Sequence, residues 1–270
     1  MRGRLSKCFG FFLALQFIWA IPYLYLNCYK VTDILCNVFH GYTRDRFRIY
    51  EYEISLLANS ICLAFLAVVA SRVMRQLDIR APSCEASKKH GVMCLIGVTF
   101  LAFIIVNVIN QFVIATLNAC FPASAHTYTD MNVKRMNMFH IQWIRILYVG
   151  IIVPIIEELY FRKLLMGVMY KIKIPLIIIT LQALIFMQAH HYPINASVIV
   201  FISGFLNGAI FYYTGSFWYS VIPHSLTNIL SLFAPDDPIK QMIAKVILFL
   251  GAIFVFFDSL IDWIDKHKTR

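Results

Sequence analysis

The chain has 270 residues, of which 60% are hydrophobic and 14% are charged, and its formal net charge is +10. A water-soluble globular domain is closer to half apolar and a quarter charged, so this composition excludes that class and indicates a protein that crosses a membrane several times. Nucleic-acid binding would need a folded basic face, and the sequence shows none. The positive charge is therefore expected to reflect membrane topology and contact with anionic lipid headgroups.

Apolar segments recur along the whole chain and predict an all-α, polytopic transmembrane helix bundle of about eight spans, with residues 1–270 forming one integral-membrane domain. In chain order the predicted spans are Phe9–Asn27, Ser55–Ser71, Gly91–Leu117, Trp143–Tyr170, Ile174–His190, Ala196–Tyr213, Phe217–Phe233 and Met242–Leu260. Lys and Arg are more frequent in the segments on one side, which predicts that both termini lie in the cytosol (N-in/C-in). Trp143 then lies at the outer end of the fourth span and Lys171 at its cytosolic end.

The fourth span contains three charged residues, in the stretch Ile155–Leu165 (IIEELYFRKLL). Glu158 and Arg162 are four residues apart, so they share one helix face and are expected to pair. Glu157 points about 100° away and lacks that partner within the helix. A structural ion pair would explain Glu158 and Arg162, but it would not explain the adjacent Glu157. Charge inside a bilayer costs several kcal/mol, so these side chains are expected to face the bundle interior and to be functional.

Position within the span adds to this expectation. Glu157 is fourteen residues from both Trp143 and Lys171, or about 21 Å in each direction at about 1.5 Å per residue, which predicts a site near the middle of the bilayer. Pro154 precedes Glu157 by three residues and is expected to free the carbonyl of Gly150, which suits a hydrated pocket.

Two later spans each carry a histidine and a second residue four positions away. In FMQAH, Phe186 and His190 lie on one face of the fifth span, and in HSLTN, His224 and Asn228 lie on one face of the seventh. The simpler interpretation of His190 is a histidine that ends a span at the membrane interface. For His224 and Asn228 it is a hydrogen-bonded clamp between helices.

A repeated glycine occurs in the sixth span. Gly204 and Gly208 form a GxxxG pattern. Such spacing predicts close approach of another helix around the site, with a chance pair of glycines as the alternative.

Two glutamates, an arginine, two histidines and an asparagine on three predicted helices suit the attack of an activated water on an amide carbonyl. Ser225 adjoins His224, but adjacent helix residues diverge, so no Ser or Cys nucleophile has a base in register. The HExxH pattern of zincins is absent. Glu157, His190 and His224 together could still hold a metal ion, with zinc as the candidate.

With these residues the sequence resembles the CAAX protease and bacteriocin-processing enzyme family of intramembrane peptidases, which includes the Ras-converting CAAX endopeptidases. The family pattern is EExxxR, FxxxH and HxxxN, each on its own transmembrane helix. Here the three motifs begin at Glu157, Phe186 and His224 and occur in that order. The resemblance covers about Val149–Leu232.

The resemblance implies a helical bundle with a polar cavity that opens toward the cytosolic side. It further implies that Glu157 and His190 activate water, that His224 and Asn228 stabilise the oxyanion, and that Glu158, Arg162 and Phe186 support them. Family descriptions differ on metal dependence. We expect a glutamate-based site without a cofactor, and zinc held by Glu157, His190 and His224 is the alternative.

The function expected from this resemblance is an intramembrane endopeptidase that acts on membrane-associated peptides or proteins. The alternative is a non-proteolytic membrane partner of the same fold, which regulates a sensor kinase or confers immunity to a bacteriocin. A transporter is disfavoured because inverted repeats are absent. A multi-pass protein of this kind would lie in the cell membrane of a prokaryote or in the endoplasmic reticulum membrane of a eukaryote.

Overall fold

The computed structural model describes residues 31, 33–39, 41–76 and 112–232, together with the single positions 97, 103, 104, 108, 109, 243, 246 and 250. Every regular element within these residues is a helix, which confirms the predicted all-α class. The first predicted span lies outside the described residues, as do most of the third and eighth. The count of eight spans and the N-in/C-in orientation therefore remain predictions.

The helices of the described residues are labelled in chain order. They are α1 (Gly41–Ile49), α2 (Glu51–Gln76), α3 (Pro122–Asn137), α4 (142–172), α5 (Pro175–His190), α6 (Ile194–Thr214) and α7 (Phe217–Ser231). Helices α2 and α4 to α7 coincide with the second and the fourth to seventh predicted spans within a few residues. Helices α1 and α3 are polar and lie between predicted spans.

Two of these helices are long and apolar enough to cross a membrane, namely Glu51–Val69 within α2 and the whole of α6, and α5 is apolar but shorter. Four exposed apolar side chains on α2 recur every three or four residues and form one stripe: Leu57, Ile61, Phe65 and Val68. An apolar stripe on the outside of a helix suits contact with lipid tails, because lipid is as apolar as these side chains.

Helix α4 is not a regular α-helix. Its α-helical turn Val153–Glu158, which carries both glutamates, lies between two π-helical segments, Tyr148–Ile152 and Leu159–Met166. A π-helix has wider turns than an α-helix and occurs most often at functional sites. The glutamates therefore lie where the backbone departs from regular geometry on both sides.

The first π segment also affects the backbone hydrogen bonds next to Pro154. The amide of Val153 donates to the carbonyl of Tyr148, five residues back. In this register Pro154 would be the donor for Val149, and it has no N–H to give. The carbonyl of Val149 is therefore left without a donor from its own helix. The predicted loss of a donor at Gly150 applies to the four-residue spacing of the α-helical turn that follows, and it stays a prediction.

Helices α5 and α6 form a closely packed antiparallel hairpin. A Cβ atom added to Gly204 would lie 2.8 Å from Cδ1 of Phe186, and one added to Gly208 would collide with the side chain of Gln182. This confirms that the GxxxG glycines allow a close approach, here between α5 and α6 of the same chain. The hairpin continues into α7 through Gly215, whose φ of 63° ends α6 in the left-handed conformation that glycine adopts readily.

The core of the bundle surrounds α4. Buried apolar side chains from α2, α4, α5 and α6 form one cluster, which includes Leu63, Phe161, Leu165, Ile178 and Phe211. Tyr160 adds a polar contact to this cluster, because its hydroxyl donates to the carbonyl of Leu63 on α2 at 3.1 Å. In a bilayer such helices are held by packing and by interhelical hydrogen bonds. The position of α4 is thus fixed from several sides.

Candidate active site

The carboxylate of Glu157 lies between two imidazole rings. Its Oε1 is 3.7 Å from Nε2 of His190, and its Oε2 is 3.5 Å from Nε2 of His224. Both distances are too long for a direct hydrogen bond. A water that lies beside the carboxylate and an imidazole, rather than between them, could bond to both groups. The Glu157 side chain is 22% exposed, but its Oε2 is buried and has no hydrogen-bond partner among the residues that the structure describes.

The orientation of His190 is set by the backbone of its own helix. Its Nδ1 lies 2.8 Å from the carbonyl oxygen of Phe186, one turn earlier. A carbonyl oxygen can only accept, so Nδ1 carries the hydrogen and Nε2 faces Glu157. The ring also packs on the ring of Phe186, with 4.5 Å between centroids. His190 is the last residue of α5, because His191 takes a left-handed conformation with a φ of 51°.

Glu158 lies about 100° around the helix from Glu157 and contacts Arg162 and His224. Its Oε2 forms the predicted ion pair with Nε of Arg162 at 2.9 Å, and both side chains are fully buried. Its Oε1 lies 2.8 Å from Nδ1 of His224 on α7. The sequence predicted the pair with Arg162 but not the contact with His224.

Arg162 connects α4 to the hairpin. Its guanidinium carbon lies 4.8 Å from the centroid of the Phe186 ring, and its Nη2 is 3.5 Å from the carbonyl of Gly204. Gly204 is midway between Ile194 and Thr214, the two ends of α6. Arg162 is therefore level with the middle of α6. Glu157 and Glu158 precede Arg162 by about one turn. They therefore lie closer than Arg162 does to the end of the bundle at which α6 begins. We call this the Ile194 end.

Asn228 contacts the carbonyl that the first π segment leaves free. Its Nδ2 donates to the oxygen of Val149 at 3.0 Å. An amide nitrogen carries two hydrogens, so one donor and the Oδ1 acceptor remain for other partners. The side chain thus holds α7 against α4 and keeps one N–H free of that contact.

The sequence interpretation missed one member of this polar face. Ser220 is fully buried on α7, one turn before His224, and its hydroxyl donates to the carbonyl of Phe217 at 2.9 Å. Ser220, His224 and Asn228 recur every four residues, so α7 presents a polar stripe to α4. That spacing is visible in the sequence and would have identified Ser220.

Polar and aromatic contacts cover the Ile194 end of the bundle. Asn195 is buried at the start of α6, and its Nδ2 donates to Oδ1 of Asn118 at 2.8 Å. Tyr192, in the turn after α5, packs against Tyr128 of α3 and against His190, with centroid distances of 5.4 Å in both cases. The predicted N-in/C-in orientation places this end outside the cytosol, whereas the family resemblance implies a cavity open to the cytosol. These two expectations disagree.

The residues proposed as alternative zinc ligands have suitable chemistry. Two imidazoles and one carboxylate form a donor set found in catalytic zinc sites, and the Nδ1 atoms of His190 and His224 each have an oxygen partner, as zinc-bound histidines usually do. Within the described part of the chain, however, no group of three His, Cys, Asp or Glu side chains is arranged to hold a metal ion. Metal dependence therefore remains a question for experiment.

Comparison with known proteins agrees with the motif pattern. Residues 139–230 match the family model described as type II CAAX prenyl endopeptidase Rce1-like. This match includes Glu157, His190, His224 and Asn228, spans about a third of the chain, and agrees with the resemblance to the CAAX protease and bacteriocin-processing enzyme family. No curated protein and no solved structure matches the chain significantly.

Proposed function

We propose that the protein is an intramembrane endopeptidase of the CAAX type, which hydrolyses peptide bonds of membrane-associated substrates with a water molecule activated by Glu157 and His190. The observation that carries this proposal is the spacing around Glu157. Each of its carboxylate oxygens faces an imidazole nitrogen at 3.5–3.7 Å. A water within reach of Glu157 and His190 would meet two groups able to take up its proton.

The reaction requires hydrogen-bond donors as well as a base. When the water oxygen attacks the amide carbon, the carbonyl oxygen becomes negative, and the water proton passes to Glu157. We assign His224 and the free N–H of Asn228, both on α7, as the donors to that oxygen. For His224 this requires a hydrogen on Nε2 in addition to the one on Nδ1. The carbon–nitrogen bond then breaks, and the leaving amine takes the proton from Glu157.

Glu158, Arg162 and Phe186 support this site without reacting. Glu158 and Arg162 are fully buried and oppositely charged, so each compensates the charge of the other. Phe186 contacts Arg162 on one side and packs on His190 on the other. Substrates would be peptides or proteins already held at the bilayer, with prenylated C-terminal peptides as the first class to test.

The test uses purified protein in detergent and two fluorogenic peptides of one CAAX-type sequence, one farnesylated and one not. We expect cleavage of the farnesylated peptide at a single bond, identified by mass spectrometry, and none by Glu157→Gln at equal abundance. Lys163→Gln, which changes an exposed neighbour, serves as the matched control and should cleave normally. Absence of cleavage of both peptides by the folded wild-type protein would reject the CAAX-type assignment.

The non-proteolytic alternative is tested separately in cells. If the protein acts only as a partner of a sensor kinase or as an immunity protein, Glu157→Gln should retain the cellular function while it still reaches the membrane. Under the proposed function, the same variant should fail to complement a deletion.

A further inference from the structure

Glu158 contacts a residue of the reaction centre as well as Arg162. The hydrogen bond between its Oε1 and Nδ1 of His224 joins α4 and α7 across 66 positions of the chain and is 2.8 Å long. If Glu158 only stabilised the bundle through its ion pair with Arg162, the contact of Oε2 with Arg162 would be sufficient. The second oxygen is used by a histidine whose other nitrogen faces Glu157.

This contact decides which nitrogen of His224 faces the substrate. The Glu158 carboxylate lies against a guanidinium and can only accept hydrogen bonds, so Nδ1 of His224 must carry a hydrogen. With Nδ1 occupied in this way, Nε2 is the atom that points at Glu157. Without Glu158, the ring could rotate or take the other tautomer, and Nε2 would lose its defined position.

We propose that Glu158 is a positioning residue, which holds the Nδ1–H of His224 so that Nε2 is presented to Glu157 and to the scissile amide, with Arg162 holding Glu158 in turn. The expected effect on kcat rests on the proposed hydrolase function. The orientation of the His224 ring by Glu158 does not depend on that function. Arg162, Glu158 and His224 then form a chain that runs from the middle of the bundle to the reaction centre.

The test must separate positioning from folding. Glu158→Met alone would leave Arg162 buried without a counter-charge. The main variant is therefore the double substitution Glu158→Met with Arg162→Met, which removes both charges together and leaves Nδ1 of His224 without an acceptor at position 158. We expect this variant to fold, with kcat lowered at least about tenfold and KM nearly unchanged, because orientation matters most in the transition state. Glu158→Asp, which keeps the carboxylate, should recover part of kcat and supplies a second variant if the double variant does not fold.

The ring is observed directly by 15N NMR of protein labelled at histidine, with the His224 signal assigned from its loss in His224→Gln. Wild-type protein should show Nδ1 of His224 protonated, and the double variant should show a mixture of tautomers. A folded double variant with wild-type kcat, or with the wild-type His224 signal, would overturn the proposal. If the wild-type protein cleaves no peptide, the peptidase function fails, and the NMR result alone still decides whether Glu158 positions His224.

Discussion

Asn228 donates a hydrogen bond to the carbonyl of Val149. In the five-residue register of the first π segment, the backbone donor for this carbonyl would be Pro154, which has no N–H. The residue expected to stabilise an oxyanion therefore also satisfies the backbone of the helix that carries the glutamates. Loss of its side chain should have two separate effects, one on stability and one on turnover.

Asn228→Ala should lower kcat by about 10²–10³ with little change in KM, the usual effect of removing one oxyanion donor. It should also destabilise the protein by about 1–3 kcal/mol, because the carbonyl of Val149 is left without a partner. Steady-state kinetics and thermal unfolding in detergent measure the two effects. The neighbouring Thr227→Val, whose hydroxyl bonds only within its own helix at Pro223, is the control and should change both little.

Loss of stability without loss of kcat in Asn228→Ala would mean that Asn228 is only a clamp between α4 and α7. A rise in KM alone would assign it to substrate positioning. Asn228→Asp should be worse than Asn228→Ala, because a carboxylate facing two oxygens repels both.

Glu158→Ala should reduce abundance and stability as well as activity. Arg162 is fully buried against Glu158, and removing one partner of such a pair typically costs about 3–5 kcal/mol. Melting temperature and yield in detergent are the measurements, with the variant Glu158→Met with Arg162→Met as the comparison, which should lose less stability. A Glu158→Ala protein as abundant and stable as wild type would contradict the structural part of the role given to Glu158.

Activity should persist after divalent metals are removed. We expect Glu157 and His190 to activate water directly, so dialysis against EDTA and a stronger zinc chelator should leave peptide cleavage unchanged. Because the donor types of Glu157, His190 and His224 also suit zinc, metal content should be measured on the same samples. Loss of cleavage that zinc alone restores would favour the metalloprotease alternative, in which these residues are the ligands.

The two ends of α5 should be labelled from opposite sides of the membrane. His191→Cys and Lys173→Cys, each in a background without other cysteines, place one thiol beyond each end, where both residues are exposed. The predicted N-in/C-in orientation expects an impermeant maleimide added outside the cell to label His191→Cys, and to label Lys173→Cys only after permeabilisation. The reverse result would invert the orientation and place the Ile194 end in the cytosol, as the family resemblance implies.

Contacts local to one helix were the part of the site that could be predicted. The pairing of Glu158 with Arg162 and the packing of Phe186 on His190 follow from four-residue spacing, which any helix produces. The partner of Glu158 on α7 could not be predicted, because the spacing of residues 66 positions apart depends on how α4 and α7 pack. The π segments were also invisible, since their residues are ordinary helix residues and Pro154 marks a departure without specifying its kind.

The wide turns of α4 make its length as important as its composition. Each π segment holds more residues per turn than an α-helix, so removing one residue from Tyr148–Ile152 would allow a regular turn to close. Because the wide turn holds the extra residue, the residues before such a deletion would keep their faces relative to Glu157, and the cost would be the contact between Asn228 and the carbonyl of Val149. Removing one residue from the regular turn Val153–Glu158 would instead rotate everything before it by about 100°, since each helical residue advances by that angle. The exposed side chains of Trp143 and Leu147 would then face a different direction. A deletion scan of α4 should thus find Tyr148–Ile152 more tolerant of a lost residue than Val153–Glu158.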